Sequence, residues 1–227
     1  MKETFISTEN FQRLEELYNW LLAEQYGVEL GAVLGRAGRG KTTAARRLYA
    51  MNGSAVYVRF EEWLSHVGIL REITFAVAGL RPVRTQVCFD LLKEGLEGRN
   101  KLIMVDEADR MSLRHLNTLR DLHDVCQTPI ILIGEEPLDA KLRQERRLIS
   151  RLRKVLKFEP TGQMDIVVFY NQALGLSIPP HVAAPLARHA QGDFRLVVKD
   201  ALAVERVMKA SSLSEITPEV VEEACRG

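Results

Sequence analysis

One stretch of this sequence decides the fold: Gly35-Arg36-Ala37-Gly38-Arg39-Gly40-Lys41-Thr42. It fills every fixed position of the pattern G-x-x-x-x-G-K-[ST], a loop that holds the phosphates of a nucleoside triphosphate. The glycines let successive backbone N–H groups turn inward, and the N-terminus of the following helix adds positive potential. The pattern predicts that these residues and Thr43 bind a nucleoside triphosphate, with Lys41 on the β- and γ-phosphates and the Thr42 hydroxyl on Mg²⁺.

The sequence on either side of the loop has the order that such a loop requires. The apolar run at residues 30–34 predicts a buried strand, and residues 42–49 follow as a helix. The alternative is a glycine-rich turn with a chance lysine. The order strand, loop, helix favours the phosphate loop.

A second motif is the apolar segment 102–105, which ends in two acids, Asp106 and Glu107. In open parallel sheets, ligands bind beyond the carboxyl ends of the strands. We therefore predict that Asp106 holds Mg²⁺ and that Glu107 polarises the attacking water. The alternative is that both acids only cap a helix that starts near Ser112, but their place after a strand favours catalysis.

Composition limits the class of protein. With 227 residues, 46% of them hydrophobic, the chain can form one α/β domain and a small appended domain. The formal net charge is +1 and the pI is near 7.8. Any contact with DNA must therefore come from locally clustered basic side chains, because the bulk charge does not favour it.

Cysteine, histidine and hydropathy patterns predict several absences. The three cysteines form no C-x-x-C pair and the five histidines show no H-E-x-x-H spacing, which predicts neither a zinc site nor a disulfide framework. No uninterrupted apolar run reaches the length of about 18 residues that is typical of a membrane span. We expect a cytoplasmic protein, of a bacterial or phage-infected host cell, with no membrane partner.

Hydrophobic periodicity predicts the domain organisation. Residues 8–26 predict a leading helix, and strands are expected at 30–34, 55–60, 101–105, 129–133 and 155–158, with helices at 62–78 and 85–97 among the crossovers. This alternation predicts a three-layer α/β fold with a parallel sheet. After Pro160 only helical patterns remain, at 167–174, 181–191, 194–208 and 218–225. We assign residues 1–28 to the leading helix, 29–160 to the nucleotide-binding domain and 161–227 to a helical lid.

Several motifs together resemble those of the AAA+ ATPases. Besides the phosphate loop, residues 105–109 read VDEAD, residues 129–134 resemble the sensor-1 strand, residues 150–152 resemble the arginine-finger box and residues 192–195 resemble sensor 2. Within that superfamily the sequence resembles the MuB family of phage Mu-type transposition ATPases, which is related to TnsC. Three features carry this resemblance: the loop followed by Ala44-Ala45-Arg46, the LISRL box at 148–152 and the GDFR motif at 192–195.

The resemblance implies a P-loop AAA+ fold and an activity. MuB-type proteins bind double-stranded DNA without sequence preference when ATP is present, form helical filaments on it, and deliver it as target to a transposase. Hydrolysis, stimulated by DNA and the transposase, disassembles the filament. For this chain the resemblance predicts an ATPase that uses ATP and Mg²⁺ and has three partners: DNA, a transposase and further copies of itself.

The resemblance also assigns two arginines. Arg151 in the SRL setting is expected to reach a neighbouring subunit's γ-phosphate, which would make activity depend on oligomerisation. Arg195 in the GDFR setting is expected to lie near the nucleotide from the lid side. An ordinary helix-surface arginine is the alternative for Arg195. For Lys141, Arg143 and Lys157, in the basic run 141–157, we expect a solvated helix face.

One position departs from the family pattern. Where the family usually has a neutral polar residue after the sensor-1 strand, this chain has Glu135, followed by Glu136. A carboxylate there repels the γ-phosphate unless it turns away or shares a metal. We therefore list Glu135 among the catalytic positions and predict slow hydrolysis.

The remaining predictions concern DNA and the core. Contact with a duplex requires basic side chains that replace phosphate counterions. Arg81 and Arg84 in the turn-rich break 79–84 are the first candidates, and Arg110 and Arg114 are the second. Trp20 and Trp63 occupy apolar helical positions and are predicted to be core residues. Two other functions stay open: a replication initiator or helicase loader, and a weakly hydrolysing nucleotide-switched scaffold.

Overall fold

The computed structural model describes residues 5–23, 29–211, 213 and 215–226. The chain divides into two compact units. We call residues 12–36 and 41–158 the sheet unit, and residues 1–11, 37–40 and 159–227 the helical unit. The last three residues of the predicted leading helix, 24–26, lie outside the described residues; the part described is α1 (Glu9–Ala23).

The sheet unit is built on five parallel strands. They are β1 (Leu30–Leu34), β2 (Ala55–Arg59), β3 (Leu102–Asp106), β4 (Ile130–Gly134) and β5 (Leu152–Lys157), in the spatial order β2-β3-β4-β1-β5. Every residue of β1, β3 and β4 is buried, as expected for strands covered on both faces. The predicted parallel α/β fold is confirmed, and only strand ends differ, β5 beginning three residues before the predicted position.

The strand order places the carboxyl ends of β1, β3 and β4 side by side. Leu34, the last residue of β1, pairs with Gly134 at the end of β4, and β3 pairs with β4 on the other side. Arg59 at the end of β2 pairs with Asp106 at the end of β3. The segments that follow β1, β3 and β4 therefore start from one edge of the sheet.

Helices of the sheet unit connect the strands. They are α2 (Lys41–Met51), α3 (His66–Ala78), α4 (Thr85–Leu96), α5 (Leu113–Cys126), α6 (Pro137–Gln144) and the single turn α7 (Arg146–Ile149). Buried aliphatic side chains of α3 and α5, including Ile69, Ile73, Leu116 and Leu119, pack in the same core as the strands. This pattern follows the helical periodicity of the sequence.

The start of α3 corrects one prediction. Helix was expected from residue 62, but Ser65 is the N-cap, and its hydroxyl accepts the Gly68 N–H at 3.0 Å. Trp63 therefore lies before the helix, where the helical phase does not apply, and its surface is 78% exposed. The prediction that Trp63 is a core residue was wrong. Trp20 is half-buried, with the Lys154 ammonium 3.9 Å from its ring centroid.

The described part of the helical unit after residue 160 contains helices and no strand. They are α8 (Gln163–Phe169), which continues as a π-turn (Tyr170–Leu174), α9 (Pro180–Ala190), α10 (Phe194–Ala210) and α11 (Pro218–Arg226). Their apolar faces form a separate core that includes Tyr170, Leu186, Val204 and Val221. No helix among the described residues has the length and apolar character needed to cross a membrane.

Candidate functional site

The predicted phosphate loop connects β1 to α2. Gly38 and Gly40 have φ values of +80° and +84°, a left-handed conformation that side-chain-bearing residues rarely adopt. A Cβ on Gly35 would come within 3.1 Å of Phe158. The backbone conformation therefore favours glycine at positions 38 and 40, and the close approach of Phe158 disfavours a larger residue at position 35. Thr42, in the first turn of α2, is half-buried, and Thr43 is exposed.

Lys41 is the first residue of α2 and is half-buried. Its Nζ donates hydrogen bonds to the carbonyl oxygens of Gly35 (2.5 Å) and Arg36 (3.0 Å). Burial lowers the pKa of Lys41, and four carboxylates act in the opposite direction: Glu135, Asp109, Asp106 and Glu107. The structure thus brings together one ammonium group and the acids that follow β3 and β4.

Asp106 is buried, with 2% of its surface exposed. One carboxylate oxygen accepts the Tyr57 hydroxyl at 2.8 Å, and the other accepts the Glu107 N–H at 2.9 Å. Burial, followed by the charge of Asp106, raises the pKa of Tyr57 to about 12, so this hydroxyl stays a neutral donor. Sequence reasoning missed Tyr57, because its place beside Asp106 depends on the pairing of β2 with β3.

Glu107 has an uncommon backbone conformation, with φ 61° and ψ 30°. Non-glycine residues in this left-handed region are strained and concentrate at functional sites. The Glu107 carboxylate pairs with Arg59 at 3.3 Å and with Arg110 at 3.1 Å. The predicted catalytic acid is therefore held by two arginines, and one of them is a predicted DNA contact.

Asp109, the last acid of VDEAD, is a second residue that sequence reasoning left without a role. Its Oδ1 accepts the Glu135 N–H at 3.0 Å, which ties the segment after β3 to the segment after β4. A Cβ on Gly134 would lie 2.7 Å from the same oxygen, so this contact needs glycine there. The position of Asp109, three residues after Asp106, was the available signal.

Lys141 also differs from its predicted role. Its Nζ donates to the backbone carbonyl oxygens of Asp109 and Met111, the latter at 2.9 Å. The side chain therefore fastens α6 to the segment after β3, and the expected solvated helix face is wrong for this residue. Arg143 follows the expectation: it is exposed and pairs with Asp139 one turn away.

Arg151 lies immediately before β5 and forms a bidentate ion pair. Its Nε and Nη2 donate to the two carboxylate oxygens of Asp124 at 2.5 and 2.7 Å. Asp124 belongs to α5, and both side chains are about one-third exposed, at 33% and 37%. The Arg151 charge is therefore already paired within this chain. No sequence signal indicated this partner.

The GDFR segment contacts the tip of the loop within the helical unit. The Phe194 N–H donates to the Gly38 carbonyl oxygen at 2.8 Å, and the Arg39 guanidinium donates to the Gly192 carbonyl oxygen at 3.1 Å. Asp193 caps α10 by accepting the Arg195 N–H at 2.8 Å. Hydrogen bonding by the Arg195 side chain lowers the pKa of Asp193. Arg195 is exposed and paired with this carboxylate at 2.9 Å.

The four arginines predicted to contact DNA differ in their partners: Arg81 and Arg110 form ion pairs, whereas Arg84 and Arg114 are exposed. Arg81 forms two 2.9 Å hydrogen bonds with Glu72, and its guanidinium lies 3.5 Å from the Phe75 ring centroid. Arg110 pairs with Glu107 and, at 3.7 Å, with Glu62. Arg84 and Arg114 are exposed. The first two arginines would have to exchange partners to bind phosphate.

A family model described as an AAA domain matches residues 24–142, which is more than half of the chain. A protein of Staphylococcus aureus described as a potential ATP-binding protein is 25% identical, over 98% of this chain and 95% of its own length. The ATP-dependent target DNA activator B of Escherichia phage D108 is also 25% identical, over 68% of this chain. The chain spans about half of that phage protein, 52%.

Among solved structures, the Aeropyrum pernix ORC2 protein, in ADPNP and ADP complexes, superposes with a TM-score of 0.69. Its sequence is 17% identical, and the match covers 99% of this chain and 70% of that protein. The RuvB Holliday junction branch migration motor of Thermotoga maritima superposes with a TM-score of 0.67 at 16% identity, over 98% of this chain and 70% of that protein. At these identities the likeness shows the fold alone.

Proposed function

The chain belongs to the AAA domain family, and on this premise we propose that it is an ATP-dependent, sequence-nonspecific DNA-binding ATPase that prepares target DNA for a transposase. The observation that carries the ATPase activity is the convergence of Lys41 with the acids that follow β3 and β4. The DNA role rests on the similarity to the phage ATP-dependent target DNA activator B over 68% of the chain, and the transposase role rests on the resemblance of the sequence motifs to the MuB family.

The side chains have the chemistry to hold ATP with Mg²⁺. Lys41 contacts only loop carbonyl oxygens among the hydrogen bonds described, so phosphate oxygens can replace them as acceptors. The hydroxyl of Thr42 and the carboxylate of Asp106 are the hard oxygen ligands that Mg²⁺ prefers, and each Asp106 oxygen keeps a lone pair beyond its hydrogen bond. When bound, Mg²⁺ neutralises charge on the β- and γ-phosphates.

Glu107 acts on water once it leaves its arginine partners. Exposed ion pairs of this kind are weak, so exchange from Arg59 and Arg110 costs little. Its strained backbone positions the carboxylate directly after Asp106, at the edge of the sheet. We assign the orientation of the attacking water to Glu107 and the metal to Asp106.

The proposed DNA role is tested by anisotropy of a labelled random-sequence duplex. The chain is titrated under ATP, a slowly hydrolysed analogue, ADP and no nucleotide, each at several salt concentrations. We expect cooperative binding only with the triphosphates, weakening as salt rises, because each phosphate contact releases counterions with a slope of about 0.9 per contact. No binding under any nucleotide would overturn the DNA role of this chain.

The same assay distinguishes among the arginines. We propose Arg84 and Arg114 as principal phosphate contacts, because both are exposed. Replacing both with alanine is expected to lower the salt slope by roughly 2 and to weaken binding to all sequences alike. Arg81→Ala is the comparison: Glu72 already neutralises Arg81, so a smaller effect is expected. An unchanged slope in the Arg84 and Arg114 double variant would contradict the assignment.

Slow hydrolysis is proposed because of Glu135. Four carboxylates raise the pKa of Lys41 against the effect of burial, and Glu135 has the largest effect of the four. This carboxylate therefore competes with phosphate for the Lys41 ammonium. Glu135→Asn is expected to raise multiple-turnover phosphate release several-fold. Glu136→Gln, on the exposed neighbouring residue, is the matched control and should leave the rate unchanged. An equal rate in the wild type and Glu135→Asn would contradict the proposal.

A weakly hydrolysing nucleotide-switched scaffold is the second candidate function. The position of Glu135 near Lys41 favours it, since an acid that slows hydrolysis prolongs the ATP-bound state. DNA-stimulated multiple-turnover phosphate release would remove this candidate. Nucleotide-dependent association with a protein, without turnover, would support it.

A further inference from the structure

Three side chains with metal-binding atoms meet in the helical unit, each from a different helix. His189 is on α9, Asp200 on α10 and Cys225 on α11, and one potential ligand atom from each lies within 4.8 Å of the others. His189 Nδ1 is 2.9 Å from Asp200 Oδ2. None of the three has a role in the proposed nucleotide or DNA function.

The cluster is partly shielded from water. The Asp200 side chain is only 4% exposed, that of His189 is 43% exposed, and Cys225 is half-buried. Burying a carboxylate carries a desolvation cost, which a bound cation would offset.

A fourth side chain near the cluster, that of Tyr170, provides an independent observation. Tyr170 is completely buried, and its hydroxyl has no hydrogen-bond partner among the described residues. Burial raises the pKa of this hydroxyl, and the nearby Asp200 and Cys225 raise it further. Most buried side-chain polar groups are paired, so an unpaired hydroxyl beside a carboxylate and a thiol supports a ligand-binding role for this cluster.

An ordinary histidine–aspartate pair would account for only two of these residues. It leaves the Cys225 thiol and the Tyr170 hydroxyl unexplained. Nitrogen, sulfur and carboxylate oxygen together are the donor set of zinc, whereas Ca²⁺ and Mg²⁺ take oxygen ligands. In a tetrahedral zinc site the ligand atoms are separated by roughly 3.4–3.7 Å, which follows from the metal–ligand distances. The three potential ligand atoms lie within 4.8 Å of one another, about one ångström beyond that spacing.

We propose that His189, Asp200 and Cys225 bind a zinc ion that joins α9, α10 and α11. Three protein ligands leave a fourth position for water, and we assign to the buried Tyr170 hydroxyl the role of an outer-shell hydrogen-bond donor, as found in zinc sites. The Cys225 thiol loses its proton to solvent on binding. The ligand positions 189, 200 and 225 match no short zinc motif, which is why the sequence indicated no such site.

The experiment uses Co²⁺ as a spectroscopic probe for zinc. The full chain is treated with a chelator, desalted without nucleotide, and titrated with Co²⁺. We expect saturation at one equivalent, with tetrahedral d–d bands and a thiolate-to-cobalt charge-transfer band that added Zn²⁺ abolishes. Absence of the charge-transfer band at saturating Co²⁺ would overturn the proposal. Midpoint temperatures with and without Zn²⁺ provide a second readout, because a ligand that binds only the folded state raises stability.

The variants separate ligation from folding. Cys225→Ser should lose the charge-transfer band, and His189→Gln should weaken binding by at least about tenfold. His181→Gln, exposed on the same helix, is the matched control and should bind like the wild type. Circular dichroism checks folding. If Cys225→Ser does not fold, His189→Gln is the deciding variant, because the half-exposed His189 is less important for folding. Unchanged Co²⁺ affinity in His189→Gln would overturn the proposed site.

Discussion

Replacing Lys41 with alanine is expected to abolish ATP hydrolysis and the nucleotide dependence of DNA binding. Two charge-assisted contacts with phosphate, at about 1.5–3 kcal/mol each, correspond to a loss of roughly 10²–10⁴-fold in ATP affinity. Removing the ammonium also leaves the carboxylates of Glu135, Asp109, Asp106 and Glu107 without their nearby opposite charge. These acids would then repel the phosphates, which adds to the loss.

Equilibrium binding of a fluorescent ATP analogue measures this effect, and phosphate release measures turnover. Lys93→Ala is the matched control, because Lys93 is an exposed lysine on α4 in the same unit. It should bind nucleotide like the wild type. Near-normal ATP affinity in Lys41→Ala would contradict the assignment of residues 35–42 as the phosphate loop.

Arg151→Ala is expected to lower hydrolysis by about 10³-fold or more while ATP binding is retained, if Arg151 acts on the phosphates of a neighbouring subunit. In the structure this arginine is bound to Asp124, so a loss of activity could also arise from the broken ion pair. Asp124→Asn separates the two explanations. It removes the same pair but leaves the guanidinium, and it should keep most of the activity.

Mixing two inactive variants tests action in trans directly. Lys41→Ala lacks a working loop but carries Arg151, and Arg151→Ala has the reverse defect. In a mixed oligomer, the intact arginine of one subunit can serve the intact loop of the other, so the mixture should recover part of the phosphate release. Failure to recover activity, in a mixture shown by light scattering to assemble, would contradict the proposed finger.

Residues close together in the chain account for what sequence reasoning predicted well. The order of β1, loop and α2 is a local pattern, and so is the apolar run that ends in Asp106. Trp63 shows where this reasoning fails. Its apolar spacing fitted a helix, but the Ser65 cap begins the helix later, and a cap depends on hydrogen-bond geometry as well as on periodicity.

The partners of the predicted site residues could not be read from the sequence. Tyr57 reaches Asp106 through strand pairing, Asp124 reaches Arg151 from a separate helix, and Lys141 reaches the Asp109 carbonyl oxygen across 32 positions. These contacts join distant residues, and no spacing rule encodes them. These long-range contacts determine which charged side chains already have a partner before a ligand binds.

The sequence by itself determined the fold class and the phosphate loop, because glycine conformations and hydrophobic periodicity act over a few neighbouring residues. Only the tertiary structure decided that the charge of Asp109 also acts on Lys41, that Arg151 is paired with Asp124, and that His189, Asp200 and Cys225 meet. Electrostatic interactions and metal ligation depend on distance in space, and folding alone determines which distant residues come within a few ångströms of each other.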